Sequence, residues 1–261
     1  MSRLGTAAFR IVVGMTALFL LAPALVVVAM SFSETSYLSF PPQGLGLRQY
    51  RSLLTSDIWG VVTVRSLIVA LPVALLAVGA ATLLVIGLER TRLPYKNALV
   101  AVSTLPMLVP GVALAVAVYG LLARLRALDT YTGVILAHTV ITLPLAVLIL
   151  WPALRAISRD LELAAMTLGA GRARAWWDTT VRLLGPAVAA SMITVFLTSF
   201  DEAVLVSFIS GPRTTTLPKA ILDSVITGVD PTITAVAGLL ILLTAALMAA
   251  GEALLRRSGR R

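Results

Sequence analysis

Residues 11–30 read IVVGMTALFLLAPALVVVAM, a run of twenty without a single charge. A helix rises about 1.5 Å per residue and a bilayer's hydrocarbon core is about 30 Å thick, so some 20 apolar residues are enough to cross it. The run exceeds the roughly 7–15 apolar residues of a signal-peptide core. It therefore predicts a retained membrane span over 9–31. Five more stretches have the same character, at 60–87, 98–122, 132–152, 187–209 and 233–255. In lipid each must satisfy its own backbone hydrogen bonds, so each is predicted to be a helix. The expected fold is an all-α membrane protein of about six spans, forming one transmembrane domain over residues 1–261.

Composition agrees. Hydrophobic residues make up 59% of the chain and charged residues 13%, against about 25% charged in soluble globular domains. The formal charge of +9 has a topological explanation. If both termini are cytoplasmic, the inner side carries Arg3, Arg10, Arg90, Arg92, Lys96, Arg155, Arg159, Arg172, Arg174, Arg182, Arg256, Arg257, Arg260 and Arg261. It holds only five acids, Glu89, Asp160, Glu162, Asp178 and Glu252. Bases and acids balance on the other side, so the whole excess lies inside, as the positive-inside rule requires. Such charge suits anionic lipid headgroups and gives no reason to invoke nucleic acid.

Several chemistries are excluded. There is no cysteine and a single histidine, His138, which removes disulfides, thiolate sites and multi-histidine metal centres. A phosphate-binding G-x-x-x-x-G-K-[ST] loop is absent, because Lys96 precedes Asn97 and Lys219 precedes Ala220. The chain is expected to bind no cofactor or metal and to have no catalytic residue of its own. Energy must come from a partner or from an ion gradient. An intramembrane enzyme would need a nucleophile and a base facing each other in the membrane, and both lysines lie outside the predicted spans.

The predicted soluble pieces are short: outer loops over about 32–58 and 210–232, an inner loop over 88–97 and a longer inner segment over 153–186. Within that inner segment, residues 160–188 read DLELAAMTLGAGRARAWWDTTVRLLGPAV. Leu161, Ala164, Ala165 and Leu168 recur at helical spacing. Gly169 and Gly171 can end that helix in a turn. Trp176 and Trp177 follow among Arg172, Arg174, Asp178 and Arg182. The residues alone fit either an interfacial helix pair lying on the bilayer or a docking surface for a partner.

This segment resembles the cytoplasmic loop of permeases in binding-protein-dependent ATP-binding-cassette importers. Their pattern is Glu-Ala-Ala, three residues, Gly, nine residues, Ile, one residue, Leu-Pro. Ala164, Ala165 and Gly169 stand at the matching places. The family's Glu position holds Leu163, with Glu162 displaced by one, and its Ile, Leu and Pro positions hold Thr179, Val181 and Arg182. The resemblance implies the transmembrane domain of a type I importer. Glu162, Leu163, Ala164, Ala165, Leu168, Gly169, Ala170 and Gly171 would form a coupling helix docked on a cytoplasmic ATPase. It also implies partners: two ATP-binding cassette subunits that use ATP and Mg2+, a second permease, and an external or periplasmic solute-binding protein. The setting would be the bacterial cytoplasmic (inner) membrane.

Ionisable groups inside a predicted span are functional candidates by default. Asp201 and Glu202 fall near the middle of 187–209, beside Thr198, Ser199 and Ser207. On a continuous helix they point about 100° apart, a limit that a break there would relax. Two carboxylates attract a cation, and a structural ion pair is the alternative use of the same groups. His138, in the fourth predicted span, is either a packed hydrogen-bonded residue or part of the path. Pro106, Pro110 and Pro144 are candidate kinks. Phe40-Pro41-Pro42 through Leu47 to Tyr50, Ser199-Phe200-Asp201-Glu202, Gly211-Pro212 and Leu217-Pro218 resemble the spermidine/putrescine branch of these permeases. That resemblance implies a small cationic substrate with Asp201, Glu202, Ser199 and His138 along its path. Permeases for other amines, aminoethylphosphonate or ferric iron share these short motifs. An ion-coupled secondary transporter is the other class to consider, but the paired broken helices of inverted repeats are not evident.

Overall fold

The computed structural model describes the backbone of residues 3–90, 95–227 and 230–258, and side chains over 9–89, 95–227 and 230–245. Arg92, Arg260 and Arg261 lie outside the described residues, as do the side chains of Arg3, Arg90, Glu252, Arg256 and Arg257. The described chain is helical, with a lone antiparallel bridge between Ser33 and Leu45. Its helices are α1 (Arg3–Ser31), α2 (Arg48–Thr55), α3 (Asp57–Arg90), α4 (Lys96–Thr104), α5 (Gly111–Arg124), α6 (Tyr131–Arg155), α7 (Asp160–Thr167), α8 (Arg172–Trp176), α9 (Arg182–Phe200), α10 (Val204–Ile209), α11 (Leu217–Thr227) and α12 (Thr232–Ser258).

Four segments among the described residues are each long and apolar enough to cross a membrane: Phe9–Ser31, Asp57–Glu89, Tyr131–Arg155 and Arg172–Phe200. The predicted 98–122 span is not one straight helix. Lys96–Leu108 and Gly111–Arg124 meet at 101°. Pro110 explains the corner: its ring disfavours the helical region for the residue before it, and Val109 is extended at φ −83°, ψ 129°. Pro106 opens the short 3-10 turn Leu105–Leu108 that precedes the corner. Pro144, by contrast, sits inside an unbroken α6. The predicted 187–209 span also differs, because α9 stops at Phe200 and α10 begins only at Val204. The loops predicted to lie outside carry helices that the hydropathy pattern did not reveal, α2 and α11.

The chain contacts divide into two compact units, Met1–Gly60 with Ile221–Arg261, and Val61–Ala220. In the first, α1 and α2 both pack on α12. The approach is close at Gly238, where a Cβ would stand 3.1 Å from the Tyr50 hydroxyl and 3.2 Å from Ser31. Ser31 Oγ and Tyr50 Oη are hydrogen-bonded at 2.8 Å. Gln49 holds the connecting loop by donating to the carbonyls of Ser33 (3.3 Å) and Thr35 (2.7 Å).

The second unit has its core between α3, α6 and α9. Val69, Val73, Ala77, Ala81 and Val85 recur every four residues along α3 and are all buried. Small side chains at this spacing let helix backbones approach, and in lipid such packing, rather than the hydrophobic effect, holds helices together. Val134, Ala137, Val147 and Leu150 of α6 and Leu184 and Val195 of α9 belong to the same cluster. At one end Glu89 accepts from Trp151 Nε1 at 2.9 Å, and Arg155 lies 3.8 Å from the same carboxylate and 5.4 Å over the indole. These contacts tie the end of α3 to the end of α6, beside the loop that leads into α7.

Candidate translocation and docking site

The short helix α7 is built by local rules. Ser158 Oγ accepts from the Asp160 N–H at 3.1 Å, and Asp160 and Glu162 occupy the first turn, where negative charge complements the helix dipole. The other end is a Schellman motif. The Ala170 N–H reaches the Ala165 carbonyl (3.1 Å) and the Gly169 N–H that of Met166 (3.0 Å), with Gly169 at φ +91°. That pairing requires a left-handed residue after the helix, a role glycine fills without strain.

No residue of α7 is buried. Leu161 and Leu163 are exposed, and Leu168 is 89% exposed. A small exposed apolar set at a loop tip has the form of a partner contact. Leu163 points outward at the family's Glu position, while Glu162 accepts a hydrogen bond from the buried hydroxyl of Thr180. Thr180 lies in a π-turn, Trp177–Val181, that joins α8 to α9. Such a turn inserts a residue and shifts the phase of the following face. Nothing in the residue pattern signalled it. Ala164 is exposed and Ala165 half-buried, and Ala170 and Gly171 lead into α8. Trp177 is exposed, and Arg174 pairs with Asp178 at 3.5 Å.

At about 1.5 Å per residue α9 is about 28 Å long, close to one hydrocarbon thickness. Asp201 and Glu202 follow the end of α9, in a break within the predicted 187–209 span and not on a continuous helix through its middle. Asp201 is exposed and its N–H closes α9 on the Leu197 carbonyl at 3.0 Å. Glu202 is half-buried, and its Oε1 accepts from the Leu205 N–H at 2.8 Å, capping the first turn of α10. The two candidate carboxylates are thus unequal, since one is committed to the backbone by one of its oxygens.

His138 and Ser199 are brought together directly. His138 is 0% exposed and Ser199 4%, and His138 Nδ1 lies 2.9 Å from Ser199 Oγ. The pair links α6 to the last turn of α9, two residues before Asp201. His138 Nε2 has no hydrogen-bond partner among the described residues.

One ionisable residue was missed by the sequence reading. Asp129, between α5 and α6, has φ 52°, a left-handed conformation that Asp and Asn adopt more readily than other side chains. Its Oδ1 accepts from the N–H groups of Gly211 (2.9 Å), Thr214 (3.1 Å) and Arg213 (3.2 Å) and from Thr214 Oγ1 (2.9 Å). Partial burial disfavours the ionised carboxyl. The hydrogen bonds from Thr214 and from the backbone of Gly211 and Arg213 outweigh it, and hold its pKa below the ordinary 3.8. Gly211 has no room for a side chain, since a Cβ would sit 2.7 Å from Asp129 Oδ2. Gly211 and Pro212 were visible in the sequence, but the carboxylate that needs them is 82 residues away.

A chain of apolar spans with an exposed, capped loop helix and a helix break carrying carboxylates has the parts of a transport permease. Residues 84–260 match the family described as the binding-protein-dependent transport system inner membrane component, and the chain belongs to it. It is therefore a multi-pass membrane protein and a permease subunit of an ATP-binding-cassette importer. The putrescine transport system permease protein PotI of Escherichia coli K12 is 30% identical over 230 residues, covering 85% of this chain and 82% of that one. The spermidine/putrescine transport system permease protein PotC of Haemophilus influenzae is 28% identical over 241 residues, covering 92% and 93%. The sulfoquinovosyl glycerol transport system permease protein SmoH of Agrobacterium fabrum is 35% identical over 161 residues, 60% of this chain and 55% of that one. The fold matches a crystal structure of a bacterial importer of the acidic polysaccharide alginate, with TM-score 0.68, 15% identity and 98% of each chain covered.

Proposed function

We propose that this chain forms half of the translocation pathway of an importer for a polyamine such as putrescine or spermidine. The observation that carries the substrate class is the break at 201–203, which exposes Asp201 and sets Glu202 beside it. Carboxylates at a mouth of low dielectric raise the local concentration of cations and repel anions. Similarity to PotI and PotC over four-fifths or more of the chain supports the same class. The similarity to the sulfoquinovosyl glycerol permease SmoH is confined to a shorter stretch of 161 residues.

In this reading residues 1–261 work as a single transmembrane permease domain with both termini cytoplasmic, in the bacterial inner membrane. Glu162 through Gly171 dock on one of two ATPase subunits, which hydrolyse ATP with Mg2+. A second permease completes the path, and an external binding protein delivers the substrate. Asp201 and Glu202 face the path at its outer end. His138 and Ser199 support them from the core, joining α6 to α9. The chain itself performs no catalysis. The test is ATP-dependent uptake of labelled putrescine by the assembled transporter with Asp201→Asn. The charge-neutral variant is expected to lower uptake at limiting substrate by about fivefold or more, since a carboxylate and a cation at contact in partly solvated surroundings attract by roughly 1 kcal/mol or more. Uptake equal to that of the unmodified chain would remove Asp201 from the path.

A further inference from the structure

Two ends of α10 are held in different ways. At its outer end the chain from Ile209 to Leu217 is fastened from three elements. The Asp129 N–H donates to the Ile209 carbonyl at 3.0 Å, and the Asp129 carboxylate gathers Gly211, Arg213 and Thr214. From α3, Arg65 Nη1 donates to the Pro212 carbonyl at 2.7 Å, and Ser66 Oγ accepts from the Leu217 N–H at 2.8 Å. From α6, the Tyr131 hydroxyl donates to the Arg213 carbonyl at 3.4 Å. Thr214 and Leu217 are buried under these contacts. α10 itself presses Leu205, Val206 and Ile209 against α5 and α6.

Its inner end is different. Among the described residues, the hydrogen bonds of 201–203 stay within their own segment. Asp201 N–H bonds Leu197, the Ala203 carbonyl takes the N–H and hydroxyl of Ser207, and Glu202 takes the Leu205 N–H. A six-residue helix is too short to bend. The nearest bond to another element before the break is that of Ser199 to His138 at 2.9 Å, so between that pair and the fastened loop the non-helical joint is residues 201–203, two of them acidic.

We propose that Asp129 is a positioning residue for the acidic break: by clamping the loop after α10 to the α5–α6 turn it fixes where Asp201 and Glu202 stand, and it confines bending between transport states to residues 201–203. The inference rests on the reading that these acids face the path. Asp129 acts on them through α10 and touches no substrate. Its ionised state at neutral pH is consistent with a carboxylate that accepts four hydrogen bonds and donates none.

The chain has no cysteine, so a single introduced thiol reports on one place. Ala203→Cys is placed in the break and, as a reference, Leu54→Cys on the 86% exposed position of α2. Each is labelled with a thiol-specific reagent in the assembled transporter, carrying Asp129, Asp129→Asn or Asp129→Gly. Both replacements tolerate the left-handed backbone. Gly removes every acceptor oxygen, whereas Asn keeps one. The expected result is a labelling rate at position 203 changed about tenfold or more by Asp129→Gly, the size of effect that follows from losing hydrogen bonds to a charged group. Asp129→Asn should give a smaller change, and the rate at position 54 should stay constant in all three. An unchanged rate at 203 in Asp129→Gly overturns the proposal, whether or not uptake falls. Equal changes at 203 and 54 overturn it as well, because they mean general loosening. The labelling needs no substrate, so it separates this proposal from the polyamine reading. A changed rate at 203 together with normal putrescine uptake in Asp201→Asn would keep the clamp and remove the acids from the path.

Discussion

Replacing Gly169 by alanine changes only one thing in this structure. A Cβ at that position would meet nothing within 4 Å, but the backbone stands at φ +91°. The cost is therefore conformational and not steric. An L-residue in the left-handed region is disfavoured by roughly 1–2 kcal/mol. That penalty falls on the two hydrogen bonds that close α7, from Gly169 to Met166 and from Ala170 to Ala165. A cost of 1–2 kcal/mol shifts the closed-to-frayed ratio by roughly five- to thirtyfold. If α7 is the element that docks on the ATPase, fraying of its last turn displaces Leu168, its most exposed apolar side chain. ATPase activity stimulated by the binding protein should then fall by up to that factor, while the amount of folded permease in the membrane stays the same. Asn tolerates the left-handed region better than alanine, so Gly169→Asn should recover much of the activity. Wild-type stimulation in Gly169→Ala, or equal loss in Gly169→Asn, would refute the reasoning.

Glu202 serves both as a charge and as a cap, and two variants separate them. Glu202→Gln keeps a carbonyl oxygen for the Leu205 N–H and should lose substrate affinity alone, whereas Glu202→Ala should also lower the thermal midpoint, by an amount corresponding to a lost cap of about 1 kcal/mol; equal midpoints for the two variants would count against the cap. Gly211→Ala places a methyl group 2.7 Å from Asp129 Oδ2, so the loop must open, and transport should drop at least as far as in Asp129→Gly; normal uptake would show that the loop yields freely. Ser199→Ala leaves His138 Nδ1 buried without its 2.9 Å partner and should destabilise the purified complex by about 1–3 kcal/mol, read as a lower midpoint of thermal unfolding; an unchanged midpoint would mean that the pair contributes little.

The membrane class was legible because bilayer thickness imposes a length on every apolar run, as in residues 11–30. The loop helix α7 was legible because it is made by local signals, Asp160 and Glu162 at the start and Gly169 at the stop. What a hydropathy window cannot see is where a long apolar segment breaks. Pro110 announced the corner after Val109, but its size depends on packing of α4 and the adjoining 3-10 turn against α6. No proline marks 201–203, where the predicted span is broken between α9 and α10. The Asp129 clamp was hidden for another reason: its partners lie 82 to 85 residues along the chain. The role of Glu162 depended likewise on Thr180, turned inward by a π-turn that leaves no mark on residue periodicity.

The most direct measurement is uptake by the reconstituted transporter, containing this permease, its partner permease, its ATPase and its binding protein. Labelled putrescine and spermidine would be offered beside a neutral and an anionic solute of similar size. The account predicts ATP-dependent uptake of the polyamines in preference to both others, reduced by Asp201→Asn. Preferential uptake of the neutral or anionic solute, or polyamine uptake that continues without ATP, would contradict it.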